Sequence, residues 1–489
     1  MSIITDKIGV AKSVTVDKTD TPLDARTRCD SEADIPNIKN PYVGMQIYTI
    51  SDGKFWVVRS LNASETSVLT YEELTFGDNE IEFSADFIVD AKTVSVNTEV
   101  IATKEYVDFV FGNSEGWRIP LTFTAEEARS TIKLSQNREG VGNAIQYRLG
   151  TSGKWRNYNL NSVITLVNVG DQVQFQNKEN TLSIDIENYV YFTMTGKIAA
   201  SNNIQSMLNY SASCSDYCYR RLFSGCTSLT SAPALPATIL AKHCYYEMFR
   251  NCTSLTTPPE LPATTLAYGC YNTMFEGCTS LTTSPELPAT TLADWCYDWM
   301  FQNCTSLTTP PELLATTLAD HCYSSMFEGC TSLTSAPELP ATTLAISCYS
   351  GMFDGCTSLT SAPALPATTL ADWCYLSMFS DCTSLTKAPA LPATTLAYGC
   401  YANMFYGCTS LTSTPELPAT TLADSCYKGM FSYCTSLNYV KVGLTEWFPE
   451  ATSDWLISVS PTGTFYKPAV LSAHRGGDYI PVGWEVINI

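Results

Sequence analysis

A chain of 489 residues with only 16% charged side chains and a net charge of −20 at pH 7 lacks the basic surface that displaces counterions from a nucleic acid or an anionic bilayer. No stretch approaches the ~20 apolar residues of a membrane span. Three histidines beside 20 cysteines, with no CysX2Cys spacing, leave little from which to build zinc sites.

The first residues, MSIITDKIGVAKSVTVDK, contain no apolar run of signal-peptide length. The chain is therefore expected to begin in a cytosol, where thiols stay reduced. The polar arm from Asp20 to Asn40 has too few apolar residues to fold unaided and is expected to be ordered by a partner. GMQIYTI and KFWVVRSL, joined by Ser51, Asp52 and Gly53, then read as a hairpin. Together these make a first segment, residues 1–62.

Residues 63–113 hold a β segment and one short helix. In ATKEYVDFVFGN, Tyr106, Val107, Val110 and Phe111 share a face, Thr103 caps it and Gly112 stops it. A helix this short needs partners, so its stripe suits a homotrimer held through the region before Trp117. A plain interdomain helix is the other reading.

Residues 114–207 carry alternating runs such as PLTFTAEEA, VITLVNVGDQVQFQ and YVYFTMTGKIA between Gly, Asn and Asp, which predict a small antiparallel sandwich. Its last strands are expected also to cap the first unit of the repeat array that starts at residue 208. Trp155 and Tyr158 either stack on sugar or serve the core.

From 208 to 440 one phrase returns every 26 residues: LA..CY..MF..CTSLT..P.LPATT, with the cysteine pair recurring nine times from Cys218 and Cys226 to Cys426 and Cys434. In Leu292 to Phe301 the repeated residues Leu292, Ala293, Cys296, Tyr297 and Met300 fall on one side of a helical wheel, predicting an amphipathic helix of about three turns. Thr291 with Asp294, Thr317 with Asp320, Thr369 with Asp372 and Thr421 with Asp424 read as capping boxes. Asn303, or Gly in other repeats, would end the helix, and Leu307 with the threonines suits a brief strand before Pro310. Such units must stack to bury their apolar sides, so the cysteines are expected to form two buried ladders of thiols in a rod roughly 40 Å long. Residues 441–489 drop the pattern and read as a C-terminal cap. The fold class is thus a mainly β N-terminal half followed by an α/β solenoid of nine repeats.

The 26-residue unit resembles the leucine-rich repeats of the BspA-like type, whose shorter unit has an Ala-Phe pair before a Cys, then Ser-Leu and a strand ending in Ile-Pro. Here MF..CTSLT..P.LP stands in that place over about Leu222 to Val440. The tail from Trp455 resembles the cap closing many such arrays, and the preceding β domain resembles one often found before these repeats in gut bacterial and phage surface proteins. The helix at 103–111 is similar to one in many trimeric phage fibres. Residues 20–61 resemble the N-termini of head-fibre and tail-fibre proteins of crAss-like phages of gut Bacteroidales, in which PLDAR.R and NPYVGM...Y...GKF.VV recur; Cys29 departs from that pattern, where an apolar residue is expected. This resemblance implies a virion fibre, assembled in the host cytoplasm and released by lysis, attached to a capsid or tail protein through residues 1–62.

No GxSxG, HExxH, phosphate loop or unique carboxylate pair occurs, so a non-enzymatic protein without cofactor is expected. A secreted bacterial adhesin with leucine-rich repeats is the alternative, and a hydrolytic tailspike whose acids meet across subunits is a further one. Aromatics collect at the positions where repeats differ: Tyr268, Trp295, Trp299, His321, Trp373 and Tyr398, with His243 and Tyr246. Trp295 and Trp299, four apart on a helix, would lie side by side, and flat rings suit the apolar faces of sugars. A host-surface glycan is the expected ligand; drift among solvent positions, with the rings covered by a neighbouring subunit of the trimer, is the other reading. Glu260, Glu286, Glu312 and Glu338 share one repeat position; they either fan into solvent or share calcium.

Overall fold

The computed structural model describes residues 119–211 and 213–489 in full and, before them, the backbone of six short strands. The chain divides into two units, Met1–Arg118 and Ile119–Ile489. In the first, β1 (Arg26–Cys29), β2 (Gln46–Thr49), β3 (Phe55–Leu61) and β4 (Leu69–Glu73) form one sheet in that order. β2 and β3 pair antiparallel with Ile47 opposite Trp56, as the hairpin reading expects. Within the arm, Arg26–Cys29 is not irregular but pairs parallel to β2. β5 (Ile88–Asp90) and β6 (Thr93–Ser95) pair with each other. The rest of the arm, the 51–53 turn, the helix at 103–111 and the trimer contact placed on it lie outside the described residues.

The second unit opens with two sheets facing each other. β7 (Leu121–Ala125), β9 (Ile145–Leu149), β10 (Arg156–Asn157), β12 (Gln172–Asn177) and β14 (Ile198–Ser201) make one; β8 (Ser130–Gln136), β11 (Val163–Leu166) and β13 (Val190–Thr195) make the other. Alternate residues turn inward, so Phe123, Phe175 and Phe192 meet edge to face with centroids 4.9–5.8 Å apart. Tyr158 is core, its hydroxyl accepting from Leu134 N at 2.9 Å and donating to Ser162 O; Trp155 stays half-buried under the Arg148 guanidinium. β14 also pairs parallel with β15 (Leu229–Ser231) of the first repeat, and Phe192 stacks on Phe223 at 5.4 Å. A 3-10 turn, Ile204–Leu208, capped by the Asn203 side chain on Gln205 N, receives the Tyr219 hydroxyl on Gln205 Oε1 at 2.5 Å. Sandwich and array thus share one core.

The predicted repeat helix is absent; among the described residues there is no α-helix. An α-helix spends each interior N–H on the carbonyl four residues back. Here the N–H groups alternate. Cys296, Asp298, Met300, Gln302 and Cys304 donate three residues back in their own coil, whereas Trp295, Tyr297, Trp299, Phe301 and Asn303 donate to Asp320, Cys322, Ser324, Met326 and Glu328 of the next. Each local bond closes a tight turn, and every fourth residue adopts a left-handed conformation, with φ of 61° at Trp295, 55° at Trp299 and 57° at Asn303. The predicted capping boxes are corrected with the helix. The Asp294 carboxylate accepts the N–H of Asp320, one coil on, and Asp320 and Asp372 do the same for Ile346 and Tyr398.

The turns deliver Tyr297, Phe301 and their counterparts into two continuous stacks, Tyr219 to Tyr427 at 5.4–6.1 Å and Phe223 to Phe431 at 5.4–5.7 Å. These steps exceed the ~4.8 Å strand spacing, so the rod is longer than that spacing implies. Burying a Phe or Met contributes about 2–3 kcal/mol, and in this stack each needs its neighbour coil to be buried at all. Both cysteine columns are buried and free. The second does more than fill space, since Cys304 Sγ donates to Phe275 O at 3.1 Å and its counterparts from Cys226 to Cys434 repeat the contact. Brief strands survive only at the ends; between them lie isolated bridges such as Thr283 to Thr309, because the proline-rich segment has lost ladder donors. Nor does the tail abandon the coil. β16 (Ser413–Leu417), β17 (Tyr439–Val442), β18 (Thr464–Lys467) and β19 (Glu485–Asn488) form a parallel sheet of about three further turns, with Trp455 taking the tyrosine position beside Tyr427.

Candidate functional site

Two adjacent columns on the outer side of the array carry the residues that the core leaves free. One is the left-handed position of Trp295; the other is the residue before it, Asp294. Along the stack the first reads Tyr217, His243, Gly269, Trp295, His321, Ser347, Trp373, Gly399 and Ser425. Both glycines of this column follow a coil that carries a ring, for a steric reason. A Cβ on Gly269 would lie 2.5 Å from the His243 ring, and one on Gly399 would overlap the Trp373 indole. Each glycine lets the ring of the preceding coil lie across it.

Of the six site residues read from the sequence, five fall in these two columns. Trp295 and His321 stack face to face at 3.8 Å and 10°. Burial lowers the His321 pKa, which keeps the ring neutral at pH 7. Trp373 meets Tyr398 edge to face at 4.6 Å, and Tyr268 meets His243 the same way at 5.2 Å. Tyr268 and Tyr398 are 42% and 41% exposed. Trp299 is the exception. It stands in the next left-handed column, 44% exposed, and its ring makes no stacking contact with Trp295. The expected side-by-side pair depended on a helix; a left-handed residue every fourth position places the two rings on successive turns instead.

Asp294, Asp320, Asp372 and Asp424 share the second column with Tyr268 and Tyr398. The first three hold backbone amides of the next coil, which leaves further lone pairs for a hydroxylated ligand. Flat apolar faces and fixed acceptors thus stand side by side in these two columns. Glu260, Glu286, Glu312 and Glu338 are all exposed, and among the described residues no three His, Cys, Asp or Glu side chains converge as a metal-binding group.

Sequence reasoning missed the charged ladder at the start of the array. Arg221 makes two bonds to Glu247 at 2.5 and 3.0 Å, and Arg250 two to Glu276 at 2.6 and 3.0 Å, each joining neighbouring coils. The signal was available, because four of the six Lys and Arg residues between 208 and 440 lie in Arg220–Arg250.

Residues 244–385 and 375–446 match the family model of the BspA type leucine-rich repeat region, in six copies. The array is built of BspA-type leucine-rich repeats. No curated protein and no solved structure matches the chain. In these BspA-type repeats the Met, Phe, Cys and Leu positions are the buried ones.

Proposed function

We propose that this protein is a structural virion fibre that attaches to the phage particle by residues 1–62 and displays the repeat array to bind a host-surface or gut glycan. The observation that carries the binding half is the pair of outer columns. Paired rings recur there from His243 to Tyr398, whereas other coils carry Ser or Gly in the first column and mostly Asp in the second without loss of the turn. The virion half rests on the resemblance of residues 20–61 to crAss-like phage fibres, whose GKF.VV element runs into β3. In this reading the chain is a homotrimer and is not an enzyme. A bacterial surface adhesin is the second reading, supported by the repeat match, which the two share.

Immunogold labelling of purified virions with antibody against residues 119–489 tests the choice. Label on the particles is the expected result. Label confined to the bacterial surface would replace the fibre with the adhesin. Adsorption of the purified chain to host cells, compared with a Trp295→Ser, Trp373→Ser variant, tests the glycan half. Equal adsorption would move the site off these columns.

A further inference from the structure

We infer that the junction of the sandwich with the first coils of the array is a site for an anionic sugar unit, carboxylate- or sulfate-bearing. This rests on the glycan-binding reading and gives it a substrate class. Around Arg220–Arg250 most charges are already paired. Arg221 and Arg250 are spent on Glu247 and Glu276. Of the nearby acids, one is ion-paired and two hold backbone amides. Asp185 accepts from the Glu187 and Asn188 amides, Glu187 pairs with Arg138, and Asp216 accepts the Lys242 backbone N–H at 3.1 Å. Among the described residues, Arg220 and Lys242 have no ion-pair partner.

These two cations bracket a cluster of rings. Arg220 is 5% exposed, its guanidinium 5.2 Å from the Tyr189 ring centre and 4.9 Å from that of Tyr246, with one nitrogen donating to Ile186 O and Nε left without an acceptor. Glu247 is the acid whose charge acts on Arg220, and it is already bound by both Arg221 and Arg250, so the three cations exceed their one shared carboxylate. Lys242 is exposed, with Nζ 5.1 Å from the Tyr268 ring. Between them His243 stacks on Tyr217 at 5.3 Å and meets Tyr246 and Tyr268 edge to face at 5.2 Å each. Burial and the neighbouring Lys242 lower the His243 pKa, so this ring adds apolar surface rather than charge at pH 7.

A sugar ring can lie on Tyr268 and Tyr246 while its anionic group takes hydrogen bonds from Lys242 in the field of Arg220. A neutral glycan would leave both charges unused.

Affinity electrophoresis of the full-length protein in gels containing polygalacturonate, dextran sulfate or neutral dextran is the test. Lys242→Asp and Tyr268→Asp are suitable variants, because Asp294, Asp320 and Asp372 already occupy that column. The expected result is retardation by one or both acidic polymers, not by dextran, weakened about tenfold in each variant and abolished by salt of about 0.5 M. Retardation by polygalacturonate alone assigns a carboxylate, and by dextran sulfate alone a sulfate. Equal retardation by dextran, or variants that behave as the parent, would overturn the inference. Host-polysaccharide binding lost in Trp295→Ser, Trp373→Ser but untouched by Lys242→Asp sinks this site and keeps the outer columns. Lys242-dependent retardation that persists in the tryptophan variant keeps this site and removes Trp295 and Trp373 from it.

Discussion

Gly329 and Gly355 occupy the same left-handed column in neighbouring coils, both at φ +70°, yet their surroundings differ. A Cβ on Gly355 would meet Gly329 Cα at an ordinary 3.7 Å, whereas one on Gly329 would overlap Asn303 Oδ1 and lie 3.3 Å from its Cγ. Gly355→Ala should therefore cost only the left-handed penalty, about 1 kcal/mol. Gly329→Ala should cost that and the displacement of Asn303, about 2–3 kcal/mol in all. Replacing Asn303 by Gly recreates the Gly355 environment, so Gly329→Ala should fall to about 1 kcal/mol in that background, a coupling of about 1 kcal/mol or more. Urea unfolding followed by fluorescence gives the totals. Because a repeat array can open in parts, hydrogen exchange at the Asn303 and Gly329 amides, which donate to Glu328 and Asp354, gives the local values. Equal costs at the two glycines, or no rescue by Asn303→Gly, would refute the steric account of the columns.

Burial raises the Asp298 carboxyl, 3% exposed, to about 7, against the partial relief given by Ser324 and Asn272, and raises Asp354 to about 6. Since both folded values lie above the ordinary 3.8, the cost of ionising them is absent below about pH 4 and grows as pH rises through 6 to 7. Acidification from pH 8 to 5 should thus raise the protection factor of the Trp299 amide, taken against the intrinsic exchange rate at each pH, with Asp298→Asn removing an effect of the order of 2–4 kcal/mol; the same protection-factor response in the variant would contradict this. Burial pushes Cys278 and Cys330 up to about 12 and Cys304 well above its ordinary value, so iodoacetamide at pH 8 should label the ladder only after denaturation. Cys214, the least buried of the described cysteines and next to the Cys218 and Cys244 thiols, should react first. Regular disulfides between coils, seen by mass spectrometry, would overturn the buried-thiol assignment.

The repeat length, the burial of both cysteine columns and the sandwich strands are legible in the sequence because they depend on apolar periodicity, which core packing must honour. The helix is misread for a definable reason. Cys296, Tyr297, Met300 and Phe301 recur at a spacing of four, which suits one face of a helix and equally a series of four-residue turns. What separates the two is the left-handed column, where Gly277, Asn303, Gly329 and Asp381 alternate; taken one coil at a time, each looks like a helix stop. Asp294 reads as the cap of its own helix because its amide partner is 26 residues away, a distance at which sequence shows no pairing. Tyr268, Trp295 and Trp373 are visible as departures from the repeat, but their ring partners His243, His321 and Tyr398 follow from the stacking of coils and not from spacing along the chain. Lys242 and Arg220 escape notice since the net charge of the whole chain hides a local excess.

The chain has only three histidines, and their positions make the most direct test of the outer columns as a glycan surface. His243 and His321 lie in the ring column, while His474 packs on Tyr479 in the C-terminal turns. Titration of purified host capsular polysaccharide into full-length protein, followed through the imidazole carbon-bound proton resonances, reports on all three at once. His321, stacked on Trp295, should shift and saturate, with loss of that shift in Trp295→Ser, while His474 stays fixed. No shift at His321 or His243 at saturating polysaccharide, or a shift at His474 alone, would contradict the assignment of these columns to glycan binding.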